Sequence, residues 1–134
     1  MEDRGFEHLE FYQESLKLLK AAYRLADELP KHESYNLVQQ LRRAACSITL
    51  NIAEGYGRYH YLDRLRFLYI ARGSLAETFS AFIIAENIGY CTKEQLEWVR
   101  QIKIQIEKKL NGYCRFIRSQ QQGRDEYGSR YIGG

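Results

Sequence analysis

Proline is nearly absent from this chain, with one residue in 134. Because 45% of the residues are hydrophobic and 28% are charged, the composition excludes fibrous and intrinsically disordered proteins and favours one compact soluble domain. A chain of this length buries roughly two-thirds of the surface that its unfolded form exposes. It therefore needs neither metals nor cross-links to stabilise a core.

Cysteine is also scarce. Cys46, Cys91 and Cys114 lie far apart with no CxxC spacing, so neither a zinc site nor a secreted disulfide framework is indicated. The first residues are acidic where a signal peptide is basic and then apolar, and no run approaches the roughly 18 apolar residues of a membrane span. We expect a cytoplasmic protein without a membrane partner.

The usual signatures of catalysis are missing. None of the three histidines stands three residues after a glutamate, the spacing of carboxylate-bridged metal centres in helical bundles. There is no P-loop, GxGxxG, GxSxG or HExxH motif. The sequence therefore predicts no metal, no cofactor, no catalytic residue and no small-molecule substrate, and we expect that the protein is not an enzyme.

Apolar residues recur at steps of three and four, the spacing of one helical face. Four segments show this pattern: about 9–29, 36–58, 61–88 and 92–117. Pro30 ends the first segment, Gly89 ends the third, and Thr92 with Gln95 forms a capping box that begins the fourth. In the first segment the predicted buried face consists of Leu9, Tyr12, Leu16, Leu19, Tyr23, Ala26 and Leu29.

Short connections between these segments force consecutive helices to lie antiparallel. The predicted fold is all-α, an up-down-up-down four-helix bundle over residues 1–118. Residues 119–134 are rich in Gln, Gly, Ser and Tyr, and we expect a disordered tail, or one that orders only against a partner.

The second segment is apolar on nearly all sides except for one polar row. The row consists of Gln40, Arg43, Ser47, Asn51, Glu54 and Arg58. The opposite face includes Val38, Cys46, Leu50 and Tyr56. A helix that is apolar all round is buried all round, so we expect a second subunit to cover its outer side, in a symmetric homo-oligomer.

The polar row has two interpretations. In the structural one, Asn51 and Ser47 bond to neighbouring groups and Glu54 forms an i,i+4 pair with Arg58. In the functional one, Arg42, Arg43 and Arg58 face a phosphate backbone or an acidic partner. A weaker hypothesis makes Glu54 a general base beside Asn51, but no nucleophile or metal is evident.

The third segment contains Gly73 and Ser74 among good helix formers, between Arg72 and Glu77. Glycine inside a helix costs about 1 kcal/mol relative to alanine. We therefore expect another backbone to approach closely there; contact with a ligand is the alternative.

The fourth segment together with Arg118 has seven basic residues against three acidic ones. The positive charge of the chain, +3 in all, is therefore concentrated there. A solvated face is one interpretation. The other is a nucleic-acid-binding surface that repeats around an oligomer and responds to salt. Its candidate residues are Arg42, Arg43, Arg58, Arg100, Lys103, Lys108, Lys109 and Arg115.

Two motifs resemble one known family. They are Gln40-x-Arg42-Arg43-Ala44-Ala45-x-Ser47-Ile48-x-x-Asn51-Ile52-Ala53-Glu54-Gly55 and Arg66-Phe67-Leu68-x-Ile70-Ala71-x-Gly73-Ser74-Leu75-x-Glu77. Together they are similar to the "four helix bundle protein" family, whose members are encoded by intervening sequences in bacterial large-subunit ribosomal RNA genes and by free-standing genes. The resemblance covers about residues 11–117.

The resemblance implies an antiparallel bundle that assembles into a ring-shaped homopentamer. A more distant relative is the accessory variability determinant of diversity-generating retroelements, a basic pentamer that binds a reverse transcriptase and nucleic acid. No enzymatic activity is established for the family. Two hypotheses follow: a non-enzymatic oligomeric module that binds structured RNA or a nucleoprotein, or a protein–protein scaffold that does not bind nucleic acid.

Overall fold

Four long α-helices make up most of residues 5–127, the part of the chain that the computed structural model describes. They are α1 (Glu10–Glu28), α2 (Leu37–Gly57), α3 (Tyr61–Ile88) and α4 (Lys93–Gln120). Short 3₁₀ segments at Gly5–His8 and Lys31–Glu33 precede α1 and α2, and a single-turn helix, α5 (Arg124–Tyr127), follows α4. Within these residues there is no β-strand, and the four predicted helices are confirmed.

The helix ends have the predicted chemistry. The Thr92 hydroxyl accepts a hydrogen bond from the Gln95 amide at 3.0 Å, and the Gln95 side chain accepts from the Thr92 amide at 2.8 Å. Gly89 ends α3 with φ 98°, a left-handed conformation that favours glycine. Leu29 is extended ahead of Pro30, as proline requires of the residue before it.

The helices form an antiparallel bundle. Each helix packs on the next in sequence, and α1 also packs on α4, which closes the bundle. Contacts between neighbours join an early residue of one helix to a late residue of the other: Arg42 with Asp27, Arg43 with Glu77, and Arg64 with Tyr113.

The predicted outer face of α2 is mostly shielded within the chain itself: Val38 is buried, Cys46 and Tyr56 are half-buried, and Leu50 is exposed. The buried face of α1 is rotated by about one residue from the predicted one. The buried residues of α1 are Phe11, Ser15, Leu18, Ala22, Leu25 and Ala26. Of the predicted residues, Tyr23 is exposed, and Leu9, Tyr12, Leu19 and Leu29 are half-buried against the core. Because α1 packs on both α2 and α4, its buried arc is wide, and periodicity alone does not fix the centre.

Gly55 marks the closest approach of α2 to α3. A Cβ at this position would lie 2.9 Å from Leu68 Cγ and 3.0 Å from the Arg64 backbone carbonyl. Only glycine fits without a shift of α3. The Gly55 carbonyl also accepts a hydrogen bond from Arg64 Nε at 3.1 Å, so the absence of a side chain lets the two helices bond directly.

The first part of the predicted disordered tail is folded. Residues 119–120 continue α4, and residues 124–127 form α5. The Tyr61 amide donates to the Gln122 carbonyl at 3.0 Å, and Tyr59 Oη donates to Glu126 at 2.8 Å. The segment up to residue 127 thus folds against the start of α3, and residues 128–134 of the predicted tail lie outside the described residues.

The outer face of α3 is apolar and lacks a partner within residues 5–127. By length and composition α3 could cross a membrane, a test that core helices of soluble proteins also pass. In the bundle, only 39% of its most apolar 18-residue window is buried. Four isoleucines of α3 are exposed, and we refer to them as the outer face of α3: Ile70, Ile83, Ile84 and Ile88.

Candidate nucleic-acid interface

The polar row of α2 lies along the seam between α2 and α3. Its central members bond to one another and to α3. The hydroxyls of Ser47 and Ser74 are 2.7 Å apart, and Asn51 Nδ2 donates to the Ser47 carbonyl at 2.8 Å and to its hydroxyl at 3.0 Å. Because a buried polar group without a hydrogen bond costs about 1–3 kcal/mol, these bonds hold the seam together.

Two arginines of α2 form ion pairs with neighbouring helices. Arg43 Nη2 lies 3.6 Å from Glu77 Oε2 of α3 and donates to Gln40 at 2.6 Å. Arg42 Nη2 donates to Asp27 of α1 at 2.9 Å. Both guanidinium charges are therefore compensated within the chain.

Arg58 is compensated as well. Its guanidinium lies 3.5 Å from Glu54, the predicted i,i+4 partner, and 3.6 Å from Asp63 of α3. It also lies over the Phe67 ring, 4.9 Å from the centroid. All three α2 arginines predicted to face a phosphate backbone thus have a carboxylate partner in the bundle.

Gly73 lies on the exposed side of α3. No atom of the described residues comes within 4 Å of the position that a Cβ would occupy. The close backbone approach predicted at Gly73 does not occur within this chain, and the glycine that permits one is Gly55. Packing of α3 on α2 turns the neighbouring Ser74 inward and leaves Gly73 outside.

Several basic residues of α4 are paired along their own helix. Arg100 Nε lies 3.2 Å from Glu97, and Lys103 Nζ lies 3.3 Å from Glu107. Both cations also lie over the Phe79 ring, at 5.1 Å and 5.5 Å from its centroid. Two of the basic residues of α4 therefore already have a carboxylate partner on the same helix.

Lys109 lies on the side of α4 that faces α1, where it pairs with two glutamates of α1. Its Nζ lies 2.9 Å from Glu10 and also contacts Glu14. The hydrogen bond and charge of Lys109 lower the pKa of the Glu10 carboxyl, and the hydrogen bonds that Lys109 donates to Glu14 and Glu10 raise the pKa of Lys109. This predicted nucleic-acid-binding residue joins two helices.

Among the exposed arginines that form no ion pair with a carboxylate of residues 5–127, three belong to the facing helices α3 and α4. We call them the arginine cluster: Arg72 of α3 with Arg115 and Arg118 of α4. Lys108, a further candidate, is also exposed and unpaired in the same part of the chain. In the sequence, Arg72 stands beside Gly73 and Ser74 in the third segment, and Arg115 is one of the candidate nucleic-acid-binding residues.

Neutral groups hold two members of the arginine cluster in place. Arg118 donates to Tyr69 Oη from Nη2 at 2.8 Å and from Nε at 3.1 Å. Arg72 donates to Asn111 Oδ1 at 3.0 Å and lies over the Tyr69 ring, 4.8 Å from its centroid. These bonds orient the guanidinium groups without neutralising their charge.

The positive charges of the arginine cluster affect the pKa of the buried Cys114 thiol. Burial raises the pKa of Cys114, and the charges of Arg72, Arg118 and Arg115 act in the opposite direction. The hydrogen bond to Tyr69 raises the pKa of Arg118. Arg72 and Arg118 both contact Tyr69, and Arg115 lies three residues before Arg118 on α4, so the three arginines lie near one another between α3 and α4.

Such a region suits phosphate oxygens. A guanidinium offers a planar fork of donors that fits phosphate geometry and is weakly hydrated. Sequence reasoning missed Arg118 and Tyr69 as site residues. The available signals were the i,i+3 spacing of Arg115 with Arg118 and of Tyr69 with Arg72.

Metal binding has no geometric support in the part of the chain described. No group of three or more His, Cys, Asp or Glu residues between positions 5 and 127 could hold a metal ion. The three cysteines of this region are free thiols.

Comparison with known proteins gives one family match. The model of a family described as 23S rRNA-intervening sequence protein matches residues 7–112. This range includes all of α1, α2 and α3 and most of α4. No curated protein matches the chain.

A solved structure is similar in fold. It is described as a protein with unknown function from the S23 ribosomal protein family of Bacteroides thetaiotaomicron VPI-5482. The TM-score is 0.71 at 24% sequence identity, and the match covers 78% of this chain and 97% of the other. At this identity the likeness concerns the fold alone.

Proposed function

Since the chain belongs to the 23S rRNA-intervening sequence protein family, we propose that it is a non-enzymatic, self-associating protein that binds structured RNA, free or in a nucleoprotein, through the arginine cluster. One observation supports this most directly. Arg72, Arg115 and Arg118 are exposed and lie near one another, yet no carboxylate of residues 5–127 pairs with them.

The electrostatic argument depends on uncompensated charge. A cation that already pairs with a carboxylate must give up that partner before it binds a phosphate. A cation without such a partner binds directly and releases the counterions of the RNA, which makes binding dependent on salt. With a net charge of only +3, local clustering matters more than the total charge.

The neutral partners add geometry to this charge. Tyr69 and Asn111 fix the positions of Arg118 and Arg72 before any ligand arrives. Binding then loses less side-chain entropy than it would with free arginines. An A-form helix is recognised through its phosphates and shape, so three oriented guanidinium groups suit a structured RNA.

Self-association is proposed from the outer face of α3. Four exposed isoleucines there, together with Leu50 of α2, which is 68% exposed, leave a large apolar surface in water. Surfaces of this kind mark protein contacts. A ring-shaped homopentamer, the assembly that the resemblance implies, would cover the outer face of α3 and repeat the arginine cluster five times.

A titration tests the RNA proposal. Purified protein is mixed with a fluorescently labelled hairpin RNA, and anisotropy is followed from 300 mM down to 25 mM KCl. We expect affinity to rise steeply as salt falls. Absence of binding at the lowest salt would refute the proposal, whatever the oligomeric state.

Sedimentation velocity at micromolar concentration tests the assembly. We expect a species several times the mass of the 15.8 kDa chain. The double variant Ile84→Glu, Ile88→Glu should sediment as a smaller species, because buried charge without a partner is costly. Gln105→Glu, an exposed position on α4, serves as the control. A wild-type monomer would contradict the assembly.

A protein–protein scaffold is the second candidate, and the outer face of α3 favours it too. Capture of partners from a lysate treated with nuclease separates the two functions. Under the RNA proposal, captured partners disappear after nuclease treatment. A stable protein partner that remains, together with no hairpin binding, would establish the scaffold instead.

The contacts of the polar row support the non-enzymatic part of the proposal. Asn51 donates its amide to Ser47, and Glu54 pairs with Arg58. Both side chains of the weaker catalytic hypothesis are thus engaged in structural bonds. Glu54→Gln should therefore leave RNA affinity unchanged.

A further inference from the structure

A groove runs between α1 and α4 on the side of α4 away from the arginine cluster. It has a volume of about 540 Å³, within the range of small-ligand sites. Its floor contains the buried side chains of Leu25, Phe82 and Val99. Trp98 lines the groove and is 48% exposed, so this large apolar ring is available to a ligand.

Three cations line the same groove from α1. Lys17, Lys20 and Arg24 follow one another at steps of three and four, which places them along one edge of the helix. None of them forms an ion pair within residues 5–127. One carboxylate, Glu28, is also present in the lining, and the local charge is positive.

Near the start of α1, the same seam between α1 and α4 has the opposite arrangement of charges, with the acidic residues on α1 and the basic residue on α4. There Lys109 of α4 is held by Glu10 and Glu14 of α1. The acidic residues of α1 thus lie near its start and pair with α4, whereas its basic residues face the groove without a partner. A groove with unpaired cations and an apolar floor is complementary to an anion that has a flat apolar part.

We infer that this groove binds single-stranded RNA, with one unpaired base stacked on Trp98 and neighbouring phosphates on Lys17, Lys20 and Arg24. Proteins that bind single strands combine a positive groove with an aromatic platform for the bases, and both elements are present here. The inference extends the proposed function: the arginine cluster binds the structured part of an RNA and the groove binds an unpaired segment.

Intrinsic fluorescence tests the groove directly, because Trp98 is the only tryptophan in the chain. The full chain is titrated with octauridylate and, separately, with a blunt-ended RNA duplex that has no unpaired base. We expect saturable quenching with octauridylate, since a stacked base lies against the indole, and little quenching with the duplex. No quenching with octauridylate would overturn the inference.

Two triple variants with the same loss of charge separate the two sites. The groove variant is Lys17→Gln, Lys20→Gln, Arg24→Gln, and the cluster variant is Arg72→Gln, Arg115→Gln, Arg118→Gln. By anisotropy, the groove variant should lose at least about tenfold in affinity for octauridylate and keep its affinity for the hairpin. The cluster variant should show the reverse.

Each pattern of results has one meaning. If only the cluster variant weakens binding of both RNAs, the groove inference fails and the proposed function survives. If the cluster variant binds the hairpin as the wild type does, the proposed function fails. The binding of octauridylate by the groove variant still tests the groove inference. Tighter binding of a polyglutamate peptide than of octauridylate in the groove would also overturn the inference.

Stacking is tested apart from charge at Trp98. Trp98→Leu should weaken octauridylate binding by roughly 5- to 100-fold, whereas Trp98→Phe, which keeps an aromatic face, should lose much less. Thermal unfolding of both variants shows that the bundle is intact. Equal effects of the two substitutions would contradict stacking.

Discussion

The arginines of the α2–α3 seam and those of the α3–α4 seam differ in their partners. Arg43 and Arg58 of α2 are exposed, yet each pairs with carboxylates. Arg72 and Arg118 are also exposed, but their hydrogen-bond partners are the neutral side chains of Asn111 and Tyr69. Position in the fold, not residue type, decides which guanidinium charge is available to a ligand.

The difference follows from where the acidic residues lie. Glu54, Asp63 and Glu77 lie along the seam between α2 and α3 and are engaged by α2 arginines. The short stretch of α4 from Asn111 to Arg118 contains no acidic residue. One seam therefore compensates its charge internally, and the other leaves positive charge at the surface.

The largest expected effect comes from removing each set of arginines in turn. Arg72→Gln, Arg115→Gln, Arg118→Gln should weaken binding of a hairpin RNA roughly 10- to 100-fold at about 100 mM KCl, because three phosphate contacts are lost. The matched triple Arg42→Gln, Arg43→Gln, Arg58→Gln should change affinity less than about threefold. Equal losses, measured by anisotropy, would remove the distinction between the seams.

The next largest effect is expected from adding a side chain at Gly55, in the seam between α2 and α3. Gly55→Ala should destabilise the protein by about 1–3 kcal/mol, because the new methyl group overlaps Leu68 and the Arg64 carbonyl. Gly73→Ala is the control. With open space around it, this change should stabilise the helix by about 0.5–1 kcal/mol. Urea unfolding at constant protein concentration measures both.

A smaller loss is expected from the hydrogen bonds of the same seam. Asn51→Ala removes both bonds to Ser47 and should cost about 1 kcal/mol. Gln39→Ala, at an exposed position on α2, should stay within about 0.5 kcal/mol of the wild type. Hairpin affinity should be unchanged in both. An affinity loss confined to Asn51→Ala would show that the seam contacts RNA.

The smallest effect concerns Lys109, which is compensated like the α2 arginines. Lys109 lowers the pKa of Glu10, so their pairing stabilises the fold above the ordinary glutamate pKa of about 4.3 and is lost as pH falls through the lowered value. The melting temperature of Lys109→Gln should therefore lie below that of the wild type at pH 7, and the gap should narrow towards pH 3. Lys108→Gln, an unpaired neighbour, should show no such narrowing.

Much of the fold follows from local sequence signals. The helix ends at Pro30, Gly89 and Thr92 depend on residues within one turn, and the structure confirms them. The buried face of α1 is not predicted correctly, because the side of a helix that its neighbours cover depends on the packing of the whole bundle and not on residues within one turn.

The candidate site could be predicted only in part, because ion pairs between helices depend on their register. Arg43 meets Glu77, thirty-four positions later in the chain, and nothing local to either residue indicates the contact. The same holds for Gly55 and Gly73: both interrupt a helix, but only the packed bundle shows which one faces a neighbour. Charge counts along one helix therefore overestimate its free charge.

The central claim, that the arginine cluster is the RNA-binding surface because its charge is uncompensated, is tested most directly by the salt dependence of hairpin binding. The logarithm of the binding constant is plotted against the logarithm of the KCl concentration for the wild type, the cluster variant and the α2 triple variant. We predict that the slope falls by about 2–3 in the cluster variant and is unchanged in the α2 variant. The same slope in all three proteins, or a smaller slope only in the α2 variant, would contradict the account.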